Sequence, residues 1–218
     1  MKINALVPIK LNSQRLKNKN ILKLDNKPLS WHIFEKLKLA GIKNIHCYCS
    51  DEKIKKYIPK FVKFLKRSKS LDKNHVKGIK IYQSYLKDLK EIPDYILLVH
   101  TTSPFLKAKT IKKAINILKT KKFDSVFTVK KEQTFAWFNN KPLNFKLNDI
   151  ARTQNLKSIL LETSSLYIFK PNVLKRNKRV GDKPFPLSIF WPEYMDIDTI
   201  EDFSLAKKII KLKISNEK

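Results

Sequence analysis

The strongest constraint on the fold is a regular alternation of strand-like and helix-like segments through the first 130 residues. Short apolar runs at INALVPI, NIHCYCS, DYILLVH and DSVFTVKK alternate with segments such as LSWHIFEKLKLAG and KAKTIKKAINILKTKK, whose apolar residues recur at helical spacing. A further helix is predicted over GIKIYQSYLKDL, and a short helix followed by a strand in DEKIKKYIPKFVKFLK. This alternation is typical of an α/β protein with a doubly wound, mostly parallel sheet.

The alternation stops at about residue 132. The stretches FAWFNNKPLNFKL and ILLETSSLYIF are strand-like and are separated by turn-forming residues, which indicates a small β-rich lobe inserted at about residues 132–170. PFPLSIFWPEYMDID then returns to the core, and a closing helix is predicted over residues 199–213, with Asp198 and Thr199 at its cap. We therefore predict one Rossmann-like domain over residues 1–218 that carries this lobe.

The charge of the chain first suggests a nucleic-acid-binding protein, because its net charge is +28. Of the 47 basic residues, however, only five are arginines, whose planar fork suits phosphates and base edges. The lysines are spread over the whole chain, which indicates a composition bias, so we expect no nucleic-acid partner. The few arginines then mark positions where the planar guanidinium is needed and the point charge of a lysine does not suffice. No run reaches the length of a membrane span and no signal peptide is recognisable, so we expect a cytoplasmic protein without membrane contact.

The loop after the first strand, in LVPIKLNSQRLKNKN, concentrates cationic and amide side chains. In doubly wound sheets ligands bind outside the carboxyl ends of the strands, where this loop lies. The loop has no glycine and matches no glycine-rich phosphate-binding motif, so an anion would be bound mainly by side chains. The alternative is a solvated connection. Near the other end, the DID stretch in extended form puts the carboxylates of Asp196 and Asp198 on one face, as Mg²⁺ requires, although Asp198 could be only a helix cap.

Six stretches, in the same order, resemble the motifs of the CMP-sialic acid synthetases and related sugar-acid cytidylyltransferases. VPIKLNSQRLKNKN with NKPL resembles I-P-A-R-x-x-S-K-R-x-x-x-K-N with G-K-P-L, and HCYCSDEKI resembles V-S-T-D-D-E-x-I. LKRSKSLDK resembles R-P-x-x-L-x-x-D, and LLVHTTSPFLKAKTI resembles L-L-Q-P-T-S-P-L-R-x-x-x-x-I. IARTQNLKSILLETSSLYIF resembles R-R-Q-x-x-x-x-x-x-E-N-G-A-x-Y-I-F, and MDIDTIEDFSLAKKI resembles I-D-I-D-T-x-E-D-x-x-x-A. The matches span nearly the whole chain.

The resemblance implies that CTP and an acidic, sialic-acid-like sugar give a CMP-sugar and pyrophosphate, for bacterial capsule or lipopolysaccharide synthesis. The implied catalytic residues are Lys19, Arg15 and Asp198. The implied nucleotide-binding residues are Pro8, Lys10, Asn12, Ser13, Arg15, Lys19, Asn20 and Arg67. The implied acceptor-binding residues are His100, Thr102, Ser103, Arg152, Gln154 and Glu162. The implied cofactor is Mg²⁺ on Asp196 and Asp198, and the implied assembly is a homodimer made through the lobe.

The sequence also departs from the family pattern. Lys10 and Ser50 stand where the motifs have Arg and Asp, and Asn12 and Asn18 stand at loop positions where the family has glycine and can keep the turns. On the acceptor side, His100 replaces Gln, and Thr163-Ser164 replaces Asn-Gly. The alternatives are therefore a cytidylyltransferase for a phosphonate, a phosphorylated alcohol or another sugar acid, or a family member that only binds the nucleotide. Arg176 and Arg179 match no motif and are interpreted as surface residues.

Overall fold

The computed structural model describes residues 1–212, so residue 213 of the predicted closing helix lies outside the described part. The strands are β1 (Ile3–Ile9), β2 (Lys23–Leu24), β3 (Lys27–Pro28), β4 (Asn44–Cys49), β5 (Lys63–Lys66), β6 (Tyr95–Val99), β7 (Ser125–Glu132), β8 (Trp137–Phe138), β9 (Lys141–Pro142), β10 (Ile159–Phe169) and β11 (Pro184–Ser188). The α-helices are α1 (Leu29–Leu39), α2 (Gly78–Asp88), α3 (Ala108–Lys119), α4 (Asn172–Lys175) and α5 (Ile200–Lys211). Short 3-10 helices lie at Lys19–Ile21, Glu52–Tyr57, Lys69–Asp72 and Thr153–Asn155.

Seven strands form the central sheet, in the order β11-β7-β10-β6-β1-β4-β5. Neighbouring strands are parallel except at β10, which runs antiparallel to both β6 and β7. The predicted mostly parallel α/β sheet is therefore confirmed. The carboxyl ends of β1, β4 and β6 lie side by side, and the loops that follow them share one edge.

Helices cover both faces of the sheet, as expected for a doubly wound fold. Alternate residues of β1 take part in the two cores, because successive side chains of a strand point to opposite faces. Val7 packs in a core with Phe34 of α1 and Ile111 of α3, whereas Leu6 packs in a second core with Tyr85 of α2. A third core joins Phe203 of α5 to the loop after β1 and to the segment before α5; its buried members include Leu16, Met195 and Ile197.

The predicted β-rich lobe differs from the structure in one respect. Only the small hairpin of β8 and β9 and the irregular chain around it stand apart, whereas β10 runs from this region into the central sheet. The register of β10 against β7 shifts between Glu162 and Tyr167, so the strand has a bulge where it leaves the lobe. A long apolar strand that serves both regions cannot be divided between them from sequence alone.

The closing helix α5 begins as predicted, and Thr199 is its N-cap. The Thr199 hydroxyl accepts from the backbone N–H of Asp202, and the Asp202 carboxylate accepts from that of Thr199, which together form a capping box. Among residues 1–212, no helix has the length and apolar character needed to cross a membrane.

Candidate active site

The loop after β1 is held in shape by a buried amide. Asn20 donates from Nδ2 to the carbonyl of Lys10 at 2.7 Å and accepts a hydrogen bond from the hydroxyl of Thr101, at the end of β6. Asn18 has a left-handed backbone (φ +57°), which asparagine tolerates better than most residues, and it starts the 3-10 turn Lys19–Ile21. The other asparagine expected to replace a glycine, Asn12, does not have a positive φ.

Two cations of this loop hold the same carboxylate. The Lys19 ammonium lies 2.8 Å from Oδ1 of Asp198 and 2.8 Å from the carbonyl oxygen of Ile197. Arg15 lies 2.7 Å from Oδ2 of the same Asp198. The Lys19 side chain is 12% exposed and that of Arg15 is 69% exposed. The Lys19 ammonium is therefore mostly buried, whereas the Arg15 guanidinium reaches into solvent. The three residues predicted to be catalytic are therefore in direct contact.

The segment that carries Asp198 is fixed to the sheet edge at several points. Glu193 is buried, and its carboxylate accepts from the backbone N–H of Lys107 at 2.9 Å and from the Thr110 hydroxyl at 2.6 Å, at the start of α3. The N–H of Ile197 donates to the carbonyl oxygen of Thr102 at 2.8 Å. The loop after β6 therefore holds the predicted metal-binding segment in place. Glu193 was not identified from the sequence, because its partners lie 86 and 83 residues away.

Asp196 lies two residues before Asp198, and its surroundings disfavour its negative charge. Partial burial raises the pKa of Asp196, while a hydrogen bond from Thr102 lowers it; the nearby Asp198 charge raises it further. In residues 1–212, however, no group of three or more His, Cys, Asp or Glu side chains is arranged to hold a metal ion.

A cleft of about 320 Å³ opens between the loop and the end of β6. Its lining includes most of the predicted nucleotide-binding residues and part of the predicted acceptor side: Pro8, Lys10, Asn12, Ser13, Arg15, Lys19, Asn20, His100 and Thr102. Ser103, by contrast, is buried with 1% of its surface exposed and is not part of this lining. A second cleft of about 360 Å³ continues from the first and shares Pro8, Lys10 and His100 with it.

Arg67 and Lys10 both bind Asp72, which the sequence did not single out: Arg67 binds its carboxylate and Lys10 its backbone carbonyl. Arg67, 3% exposed, donates to Oδ1 of Asp72 at 2.6 Å, and the Ser50 hydroxyl donates to Oδ2 at 2.5 Å. The ammonium of Lys10 donates to the backbone carbonyl of Asp72 at 2.5 Å and to Asn74 at 3.2 Å. Arg67 and Asp72 therefore both line the second cleft. The hydrogen bonds of Lys10 connect the loop after β1 to the segment that follows β5.

On the opposite side of the clefts, His100 is bound on both ring nitrogens. Its Nδ1 lies 2.9 Å from the carbonyl oxygen of Ser164, and its Nε2 lies 3.2 Å from the hydroxyl of Tyr82. Burial lowers the pKa of His100, and the Ser164 carbonyl opposes that shift. Ser164 lies in the bulge of β10 with φ +57°, at the position where the family motif has glycine. The left-handed backbone is kept although the glycine is absent.

The remaining predicted acceptor residues separate into two groups. Glu162 accepts hydrogen bonds from the hydroxyl of Tyr167 and from Arg179, whose guanidinium carbon lies 4.8 Å from the centre of the Tyr167 ring. Arg152 and Gln154, in contrast, are exposed at the 3-10 turn Thr153–Asn155 in the inserted segment, outside the lining of both clefts.

Comparison with known proteins identifies the family of the chain. Residues 4–215 match the family model described as "Cytidylyltransferase". N-acylneuraminate cytidylyltransferase A of Danio rerio is 25% identical over 217 residues, which cover 94% of this chain and 50% of the relative. The Helicobacter pylori protein named pseudaminic acid cytidylyltransferase and UDP-2,4-diacetamido-2,4,6-trideoxy-beta-L-altropyranose hydrolase is 24% identical over 228 residues, covering 97% of this chain and 43% of that protein. The chain thus spans half the length, or less, of these curated relatives.

The fold has close counterparts among solved structures. CMP:2-keto-3-deoxy-manno-octonic acid synthetase in complex with CTP superposes with a TM-score of 0.72 at 13% identity, covering 98% of this chain and 100% of the other. The 4-diphosphocytidyl-2C-methyl-D-erythritol synthase of Anaerococcus prevotii gives 0.65 at 12% identity, covering 96% of each chain. At such identities the likeness concerns the fold alone. Because the family model extends over nearly the whole sequence, the chain belongs to the cytidylyltransferase family.

Proposed function

We propose that this protein transfers CMP from CTP to an acidic sugar and releases pyrophosphate. The observation that carries the proposal is the cluster of Lys19, Arg15 and Asp198, whose two cations line the first cleft. It combines cations for a polyphosphate with a carboxylate at the edge of the sheet where such folds bind ligands. Membership of the cytidylyltransferase family supports CTP as the donor.

In the proposed reaction, a hydroxyl oxygen of the acceptor attacks the α-phosphorus of CTP. A new P–O bond forms, the bond from the α-phosphorus to the bridging oxygen breaks, and pyrophosphate takes the electron pair while the hydroxyl proton leaves. Such a step needs positioning and cationic stabilisation more than covalent help from the protein. Lys19 is already held in a fixed position, and Arg15, which is more exposed, can exchange Asp198 for phosphate oxygens.

Asp196 and Asp198 are the residues proposed to hold Mg²⁺, which requires Arg15 or Lys19 to release an oxygen of the Asp198 carboxylate. Mg²⁺ commonly binds one or two carboxylates and completes its octahedral shell with waters and substrate phosphates, so a third protein ligand is not needed. A bound cation would offset the repulsion between the Asp196 and Asp198 carboxylates. When bound, the ion would neutralise charge on the phosphates.

The acceptor and the assembly are further parts of the proposal. The names of the two curated relatives contain N-acylneuraminate and pseudaminic acid, which supports a sialic-acid-like acceptor. A homodimer is supported by large apolar side chains that are exposed in and beside the inserted segment: Trp137, Phe138, Leu143, Leu147, Ile150, Leu160 and Leu161. A monomer in sedimentation velocity runs would contradict the dimer. The cytoplasmic location and the role in surface glycan synthesis stay predictions.

Two measurements test the proposed function. Thermal unfolding is followed with Mg²⁺ and each of CTP, ATP, GTP and UTP; we expect CTP to stabilise the protein most, because binding to the folded state raises the unfolding temperature. Pyrophosphate release from CTP is then measured across sialic-acid-like sugars, other sugar acids, phosphonates and phosphorylated alcohols. Equal stabilisation by all four nucleotides would contradict the donor, and turnover restricted to phosphonates or alcohols would contradict the acceptor class.

A further inference from the structure

Arg179 is exposed, as the sequence indicated, and it also makes two specific contacts. It extends from the loop between α4 and β11, and its guanidinium packs over the ring of Tyr167 in the central sheet while pairing with Glu162. Stacking on an aromatic face and pairing with a carboxylate both use the planar geometry of arginine, which lysine does not have. In a chain with five arginines among 47 basic residues, this is a position where the planar group is used.

Arg179 also lies within electrostatic reach of the residues that line the clefts. Burial lowers the pKa of His100, and the positive charge of Arg179 lowers it further. Burial raises the pKa of Tyr82, and the same charge opposes that rise. His100 lines both clefts and Tyr82 lines the second. Ser164, whose carbonyl contacts His100, also accepts a hydrogen bond from Tyr167, and the guanidinium lies over the Tyr167 ring. Arg179 is therefore next to the clefts, beyond His100, and is not part of their lining.

The contacts of Arg179 leave room for a ligand. Its side chain is 45% exposed and that of Glu162 is 36% exposed, so the pair is open to solvent. One terminal nitrogen of the guanidinium, Nη2, donates to the Glu162 carboxylate. A guanidinium has five N–H donors, so others remain. A carboxylate that approaches from the cleft can bind the remaining donors side by side, or it can displace Glu162, which keeps its hydrogen bond from Tyr167.

We propose that Arg179 is a specificity-determining residue that binds the carboxylate of the acceptor. The inference rests on the proposed function, since it assumes an acidic acceptor, and it names the residue that distinguishes this acceptor from neutral sugars. Tyr167 and Glu162 position the guanidinium. The charges are then divided between the two ends of the clefts: Lys19 and Arg15 face the triphosphate, and Arg179 faces the acid.

The test uses steady-state kinetics of the full chain with the sugar acid that gives the highest turnover and with its carboxamide. Arg179→Lys and Arg179→Gln are compared with wild type. Arg176 supplies the matched control, because it pairs with Asp182 at 2.5 Å and is similarly exposed, at 44%, but packs over no aromatic ring of residues 1–212. We expect Arg179→Gln to raise the acceptor KM about 10- to 100-fold, as expected for a lost charge-assisted hydrogen bond, with the KM for CTP changed less than about twofold.

The carboxamide separates a binding role from a structural one. Wild type should prefer the acid over the carboxamide, Arg179→Gln should lose that preference, Arg179→Lys should keep part of it, and Arg176→Gln should behave as wild type. An unchanged preference in Arg179→Gln, or a KM for CTP that rises in parallel with the acceptor KM, would overturn the inference and leave the proposed function intact. Absence of turnover of any sugar acid by wild type, despite stabilisation by CTP, would overturn the proposed acceptor and this inference together.

Discussion

The two walls of the clefts are built from different ranges of sequence. The loop wall, residues 10–20 with residues 193–198, depends on long-range contacts such as Lys19 to Asp198, 179 residues apart, and Lys10 to Asp72, 62 residues apart. In the strand wall, residues 162–167 with Arg179, the side-chain contacts of Glu162 span only 5 and 17 residues, although the backbone of the strand pairs with β6 and β7 and Ser164 contacts His100. The loop wall is thus fixed by side chains from the whole domain, whereas the side-chain contacts of Glu162 in the strand wall are local.

Departures from the family motifs fall in both walls. In the loop wall, Lys19, Arg15 and Asp198 match the motifs and Lys10 replaces Arg; in the strand wall, Glu162 matches, and Thr163 and Ser164 replace Asn and Gly. A substitution of Glu162 or Arg179 disturbs few distant side chains, so the acceptor side can vary without loss of the fold. We therefore expect substitutions in the loop wall to reduce turnover or stability strongly, and those in the strand wall to have smaller and more local effects.

The largest expected effect is that of Lys19→Ala. It removes a fixed cation and leaves Asp198 without its more buried partner, so we expect turnover to fall at least about 100-fold. Asp198→Ala should fall by a similar factor. Lys17→Ala is the control, since Lys17 is an exposed lysine of the same loop and should keep near-normal turnover. Near-normal rates for Lys19→Ala would remove the basis for the comparison of the two walls.

Next comes Glu193→Ala, which tests the anchoring of the loop wall. The substitution leaves the N–H of Lys107 and the hydroxyl of Thr110 without their acceptor at the start of α3. We expect a loss of about 2 kcal/mol in the free energy of unfolding, measured by denaturant titration. Glu201→Ala, at an exposed position in the first turn of α5, should cost much less. Equal losses in both variants would show that Glu193 anchors nothing.

A smaller effect concerns the pH dependence of stability and a buried histidine in β4, the neighbour of β1. Burial lowers the pKa of His46, in β4, to about 4. Between the unfolded value of about 6.5 and the folded value, the unfolded chain binds a proton that the folded protein does not, so the free energy of unfolding falls as pH falls through this window. We expect His46→Gln to weaken this dependence in thermal melts from pH 7 to 4, and His75→Gln, at an exposed site, to leave it unchanged. The same slope in both variants would contradict the assignment to His46.

The smallest effect is expected in the strand wall. Ser164 has φ +57°, where a side chain is strained and glycine is not. We expect Ser164→Gly to raise the free energy of unfolding by about 0.5 kcal/mol. Ser164→Ala, which removes the hydroxyl near Tyr167 but keeps the strain, should not stabilise the protein. Destabilisation by glycine would mean that the bulge depends on the serine side chain.

Much of the fold could be predicted because it is set by local pattern. Alternating apolar runs and helical spacing located β1, β4, β6, β7, α1, α2 and α3. The place of β10 could not be found in this way, because its pairing with β6 and β7 is antiparallel and bridges two regions. An apolar strand has the same appearance in sequence whichever neighbours it joins.

The site was predictable where the residues carry the chemistry themselves. Lys19, Arg15 and Asp198 stand in recognisable motifs and lie together in the structure. Asp72 and Glu193 were missed, since each acts through partners distant in sequence. Arg179 was missed for another reason: it matches no motif, and its rarity in a lysine-rich chain was the one available signal.

The contact between Lys19 and Asp198 also bears on how the chain folds. All seven strands of the central sheet have been synthesised by residue 188, yet the carboxylate that Lys19 holds follows ten residues later. Closing so long a span is entropically costly and slow compared with forming local structure. A chain truncated before Asp196 should therefore form the sheet without its active site, so the ability to bind nucleotide would report the last stage of folding.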